Sequence, residues 1–347
     1  HQLSRGLGDV YKRQLIVQEP LIELEKTFSV EQGDAGDVPR VTITATNTGT
    51  TTAYNLRVMD DLSGVDLNYL GDVLGPDPPD VDLDLFGPET PLFHWAPGFG
   101  LPPGETLSFS FAVEVDLVTE PLEVLLNTVE ADWTSLPDRN TALNPSGEIG
   151  ADGSPTGMRN GTRPNSEDSL NDYEAQTSAS LAVPAAGLEK LDLDPALAPE
   201  IGVHKAFQFV IELPEGTTRE LVASDDLESG DVSYVLADDA DFDITYEFID
   251  IASINGQAPA EAAFDALPVD GTSGTAVWSI GSVVTEAEDD LTTQELNPAI
   301  RIHYYARINN DLLTDAGDTL QNTLLVNYLD GDTGEPESET DATAVVA

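Results

Sequence analysis

Apolar and polar residues alternate with a period of two through much of this 347-residue chain. VTITATN at 41–47, LSFSFAVEVDLV at 107–118, KAFQFVIEL at 205–213, ITYEFIDI at 244–251 and AIRIHYYARI at 299–308 each put every second side chain on one face. That period belongs to half-buried strands, and the runs are bounded by Gly, Pro, Asn and Asp, which favour turns. Helical periodicity is nearly absent: EAAFDAL at 261–267 amounts to one or two turns. Residues 75–91 carry Pro76, Pro78, Pro79, Pro88 and Pro91 and cannot form a central strand. Many short strands between turn signals predict an all-β fold made of β-sandwiches.

The pattern repeats after about 164 residues. Leu24-Glu25-Lys26 returns as Leu188-Glu189-Lys190, and Val58-Met59-Asp60-Asp61-Leu62 as Val222-Ala223-Ser224-Asp225-Asp226-Leu227. Trp95 with Gly98 answers to Trp278 with Gly281, and Asn127-Thr128 to Asn322-Thr323. Each copy closes on a strand of small residues, TSASLAVPA at 177–185 and TDATAVVA at 340–347. With the long alternating strands at 107–118 and 299–308, these make six landmarks in one order and predict two tandem immunoglobulin-like β-sandwich domains, 15–186 and 187–347, each Trp filling a core. Residues 1–14 match neither copy. They hold Arg5, Lys12 and Arg13, and RGLGDVYKRQ resembles a translated sequencing-adaptor read, so they are expected to be a non-native, disordered leader. Residues 135–172, rich in Asp, Asn, Gly, Pro and Ser, read as a loop. The copies follow each other through a short link, so neighbouring repeats of the same chain are expected partners.

Charge narrows the function. Sixty-four acidic residues against 14 basic give a formal net charge of -50. That excludes nucleic acid, whose phosphates need clustered Lys and Arg, and disfavours anionic membranes. No apolar window is long enough for membrane insertion in this segment. With no cysteine there is neither a disulfide nor a thiolate metal site. Two acidic runs are open to two readings, calcium ligands or a solvated face: Asp80, Asp82 and Asp84 in one, Asp239 and Asp241 in the other. Neither has the spacing of an EF-hand loop or of a calcium-binding nonapeptide repeat. His94, His204 and His303 are scattered, and no nucleophile elbow or phosphate loop occurs, so no enzyme is expected.

Lys-Thr-Phe, VTITATNTG, the Asp of Val-x-Asp-x-Leu, Trp-x-x-Gly and Asn-Thr together resemble two related groups. One is the tandem bacterial surface repeats catalogued as domain of unknown function eleven. The other is the isopeptide-forming Ig-like domains of fimbrial and adhesin proteins. The resemblance spans residues 21–347 and is looser in the second copy, where Ala206–Val210 replaces a Thr-rich strand. It implies an extracellular, bacterial cell-surface stalk segment of a large adhesin-like protein, holding an unidentified host or environmental ligand at a distance. The alternative is a calcium-assisted module that itself binds glycan or protein; a sandwich-fold carbohydrate-active enzyme is a third. The resemblance also implies an intramolecular Lys–Asn bond, with Lys26, Asp60 and Asn127 in one copy and Lys190, Asp225 and Asn322 in the other. Scarcity supports this: of four lysines, Lys12, Lys26, Lys190 and Lys205, two stand at equivalent repeat positions. A strand-edge lysine paired with a neighbour such as Glu25 is the alternative reading.

Overall fold

A computed structural model describes residues 16, 18–137, 173–197, 200–229, 232–237, 241–289, 291, 297–310 and 319–346. Residues 1–14, Asp239 and most of the 135–172 loop lie outside them. Ten strands come first: β1 Ile22–Phe28, β2 Arg40–Asn47, β3 Ala53–Asp61, β4 Leu67–Leu74, β5 Asp80–Asp82, β6 Leu92–His94, β7 Gly100–Leu101, β8 Thr106–Val115, β9 Val124–Thr134 and β10 Glu174–Ala182. They form two antiparallel sheets, β1-β2-β8-β4 and β10-β9-β3-β6-β5, with β7 beside β3. First, second, fifth and fourth major strands facing last, penultimate and third is the immunoglobulin arrangement. The proline-rich stretch supplies only the three-residue edge strand β5.

The remaining strands repeat the plan: β11 Gly187–Asp192, β12 His204–Glu212, β13 Thr217–Asp226, β14 Glu228–Ser229, β15 Val232–Ala237, β16 Thr245–Ile249, β17 Ile251–Ile254, β18 Thr275–Thr285, β19 Ala299–Ile308, β20 Thr319–Leu329 and β21 Pro336–Val346. One sheet runs β11-β12-β19-β15-β14 and the other β17-β18-β13-β20-β21. Of EAAFDAL, only Glu261–Ala263 forms a 3-10 turn.

Alternation decides which side chains enter each core. On β2 the buried set is Val41, Ile43, Ala45 and Asn47; on β8 it is Leu107, Phe109, Phe111, Val113 and Val115, with Ala112 buried on the opposite face. Each large apolar side chain so buried contributes about 1.5–3 kcal/mol. Two separate apolar clusters result, one in each pair of sheets. The pairing of Trp95 with Trp278 needs correction. Val58, two before Asp60, stands opposite Phe93, and Ala223, two before Asp225, stands opposite Trp278. Phe93 therefore occupies the place of Trp278, while Trp95 lies beyond the end of β6 and stacks on Phe99. Residue type pairs the two tryptophans, but strand register pairs Phe93 with Trp278.

Asn47 is a fully buried polar residue with all its bonds made. Its Oδ1 accepts from Leu21 N (3.3 Å) and Gly49 N (3.0 Å), and its Nδ2 donates to Thr51 O (2.8 Å) and Leu101 O (2.7 Å). It ties the residue before β1 to the loop after β2 and to β7. Asn47→Ala strands these backbone groups, and denaturant unfolding should show a loss of about 2–3 kcal/mol.

The two sandwiches meet through backbone. Ala35 N donates to Glu215 O (3.2 Å), Thr217 N to Thr119 O (2.8 Å) and Gly331 N to Pro121 O (2.9 Å). The approach is close enough to demand glycine. A Cβ on Gly216, at φ +126°, would stand 2.4 Å from Thr119 O, and one on Gly36, at φ +88°, 2.7 Å from Glu288 N. Arg219 pairs with Glu120 across the same joint.

Candidate functional site

In each sandwich one lysine, one aspartate and one asparagine project into the core from three strands. Lys26 on β1 stands opposite Ile43, and Lys190 on β11 opposite Phe209. Asp60 on β3 faces Val129 of β9, and Asn127 lies two residues before Val129. Asp225 on β13 faces Leu324 of β20, and Asn322 lies two residues before Leu324. The register is thus the same in both copies. All six are at most 5% exposed.

Lys26 Nζ lies 2.6 Å from Asp60 Oδ2, and Asn127 Nδ2 donates to Asp60 Oδ1 (2.7 Å) and Asp61 O (2.9 Å). Asn127 Oδ1 is buried with no hydrogen-bond donor. In the second sandwich Lys190 Nζ donates to Asp225 Oδ1 and, at 2.6 Å, to Asn322 Oδ1. The structure therefore joins each aspartate to its lysine and asparagine, and in the second copy sets the lysine nitrogen directly against the carboxamide. Burial pushes both lysines below the ordinary amine value, opposed by the paired aspartate. Burial likewise pushes both carboxyls up, opposed by the paired lysine. Both shifts favour a neutral amine beside a protonated acid.

Two residues escaped the sequence reading. Tyr304 on β19 donates its hydroxyl to Asp225 Oδ2 and accepts from Asn322 Nδ2 (3.1 Å). The alternation of AIRIHYYARI marks it as inward, but only register sets it against the trio. Lys205 is 1% exposed; its Nζ lies 2.8 Å from Asp192 Oδ2 and donates to Asp194 O (3.1 Å). It fastens the returning segment after β11 to β12 and has no place at the Lys–Asn site.

The acidic runs look different. Asp80 sits exposed on the edge strand, and Asp82 Oδ1 accepts from Asp84 N (2.9 Å) and Leu85 N (3.3 Å), closing a turn. Asp241 begins the segment that leads into β16. Among the described residues no group of three His, Cys, Asp or Glu converges in a way that could hold a metal ion. A groove of about 450 Å³ on the outer face of β3 and β9 is lined by Arg57, Met59, Phe86, Glu130, Asp132 and Gln176, with Phe86 largely exposed at its rim. Among the described residues no helix is long and apolar enough to cross a membrane.

Near the joint, acidic crowding has a measurable consequence. Half-burial, with Asp66 and Glu120 close by, raises the Glu123 carboxyl from 4.5 to about 7. The folded state then holds an extra proton between those values, so this group's contribution is complete below pH 4.5 and gone above about 7. Solvent screening discounts the effect to about 1 kcal/mol. Glu123→Gln should raise the melting temperature by roughly 2–4 °C at pH 8 and leave it unchanged near pH 4.5. An equal shift at both pH values would contradict this.

No family model matches the chain, and no curated protein does. Among solved structures, the major pilin subunit BcpA of Bacillus cereus aligns at 7% identity and a TM-score of 0.31, over 85% of this chain and 64% of that one. The collagen adhesin CNA of S. aureus aligns at 12% identity and 0.25, over 95% of both chains. A red sea bream transglutaminase aligns at 10% identity and 0.30, over 93% of this chain and 31% of its own. This chain thus spans less than two thirds of the length of the pilin. At such identities no ligand, partner or activity transfers from these proteins.

Proposed function

We propose that the chain comprises two tandem immunoglobulin-like domains, divided near residue 187, of an extracellular bacterial surface stalk, each closed by a Lys–Asn isopeptide bond. One observation carries this reading: the same three side chains, in the same register, are dry in both sandwiches of a chain with only four lysines. The neutral lysine Nζ attacks the asparagine Cγ. The Nζ–Cγ bond forms, the Cγ–Nδ2 bond breaks, and ammonia leaves. The aspartic acid passes a proton to the departing nitrogen and recovers one from Nζ, so no external reagent is consumed. Fixed geometry supplies the rate. Intact mass spectrometry of the purified chain should show two ammonia units missing, and peptide mapping should join Lys26 to Asn127 and Lys190 to Asn322. A mass equal to the calculated one would overturn the proposal. The rival reading, a glycan- or protein-binding module, draws on the groove beside Phe86.

A further inference from the structure

The two sites differ in what meets the asparagine amide nitrogen, where ammonia must depart. In the first sandwich Asn127 Nδ2 bonds Asp60 Oδ1 directly at 2.7 Å. In the second, Asn322 Nδ2 reaches the hydroxyl of Tyr304 at 3.1 Å, and that hydroxyl bonds Asp225 Oδ2. Tyr304 stands opposite Phe207, two residues along β12 from the partner of Lys190. The same step in the first sandwich leads from Ile43 to Val41, and so to Phe111. Phe93 lies 4.9 Å from Phe111 between ring centroids, and Trp278 5.6 Å from Tyr304, which agrees with that equivalence. Phe111 has no hydroxyl. Tyr304 is fully buried, and its bonds to Asp225 and Asn322 keep a phenol in an apolar core.

We propose that Tyr304 is a catalytic proton relay for the Lys190–Asn322 bond, a role absent from the first sandwich. This rests on the isopeptide reading and adds a residue to it. With the acid hydrogen of Asp225 on Oδ2, the hydrogen bond to Tyr304 reverses. As Lys190 Nζ adds to Cγ, Nδ2 becomes a tetrahedral amine with a free electron pair. Tyr304 gives its hydroxyl proton to Nδ2 and takes the Oδ2 proton of Asp225. Asp225 Oδ1, which faces Nζ, receives the proton that Nζ sheds. The Cγ–Nδ2 bond breaks, ammonia leaves, and Tyr304 and Asp225 each end with the proton count they began with. In the first sandwich Asp60 protonates Nδ2 without an intermediary.

The test follows both cross-links by peptide mapping in chains sampled during cell-free synthesis. Wild-type protein should form both. Tyr304→Phe should form Lys26–Asn127 at the wild-type rate and Lys190–Asn322 about a hundredfold more slowly, the usual scale of a lost general acid. The first cross-link reports that the chain has folded. Should the phenylalanine variant fail to fold, 3,5-difluorotyrosine at position 304 keeps the ring and hydroxyl and changes only the acidity. The relay then requires a changed rate and a shifted pH profile for the second bond alone. An unchanged second rate in either variant, with wild type forming both bonds, overturns the relay and leaves the isopeptide reading standing. Neither cross-link in wild type overturns the isopeptide reading itself.

Discussion

Replacing Lys26 and Lys190 together by methionine should lower the melting temperature of each sandwich by about 10 °C or more. Methionine keeps the apolar stem in its slot and removes only the reacting nitrogen. Each isopeptide bond closes a loop of about a hundred residues or more, and a cross-link of that span restricts the unfolded chain by about 4–5 kcal/mol. For domains of this size each kcal/mol moves the midpoint by roughly 2–4 °C. Single variants should each move one of two resolvable transitions down and leave the other in place, and calorimetry with matched intact masses checks it. Wild type and double variant melting within about two degrees of each other would remove the covalent bond from the account of stability.

Gly216→Val should open the joint. The new side chain has no room beside Thr119 O and inherits a backbone angle of +126°. Strain and overlap together cost about 3 kcal/mol. The Thr217–Thr119 hydrogen bond is lost with them. Each sandwich has its own apolar cluster and so keeps its own melting transition, although Leu122 of the first also packs against the cluster of the second. Limited proteolysis near 183–187 should speed up about a hundredfold, since cleavage tracks the population of the open form. Equal cleavage rates in wild type and variant would show that the contact between sandwiches contributes nothing to holding them.

Strand faces were legible because alternation is local: VTITATN and LSFSFAVEVDLV state which side chains point inward. The trio of Lys26, Asp60 and Asn127 was legible through the resemblance to isopeptide-forming domains, with repetition and the rarity of lysine in support. Register was not, because a strand's partner is chosen by contacts distant in sequence. Hence Trp95 was matched to Trp278 by residue type although Phe93 holds that position, and Tyr304 stayed hidden in an aligned strand. Composition gives Lys205 no role, since the segment that covers it returns from β11. The joint was equally hidden: Gly216 reads as an ordinary turn until Thr119 approaches from the other sandwich.

The position of Asn127, on the penultimate strand instead of the last, sets how the molecule lengthens under load. Once its bond to Lys26 exists, tension entering at β1 crosses to β9 without straining residues 27–126, and β2 through β8 stay folded at any force the peptide bond survives. Strand β10 lies outside that closed ring, paired to β9 with Ala179 beside Asn127. It can peel from its exit end, and the chain then lengthens by no more than the contour of residues 128–182, at most roughly 190 Å. The domain would then behave as a tether with a fixed stop: a hydrogen-bonded strand yields first and dissipates a pull, and the covalent ring limits the total travel.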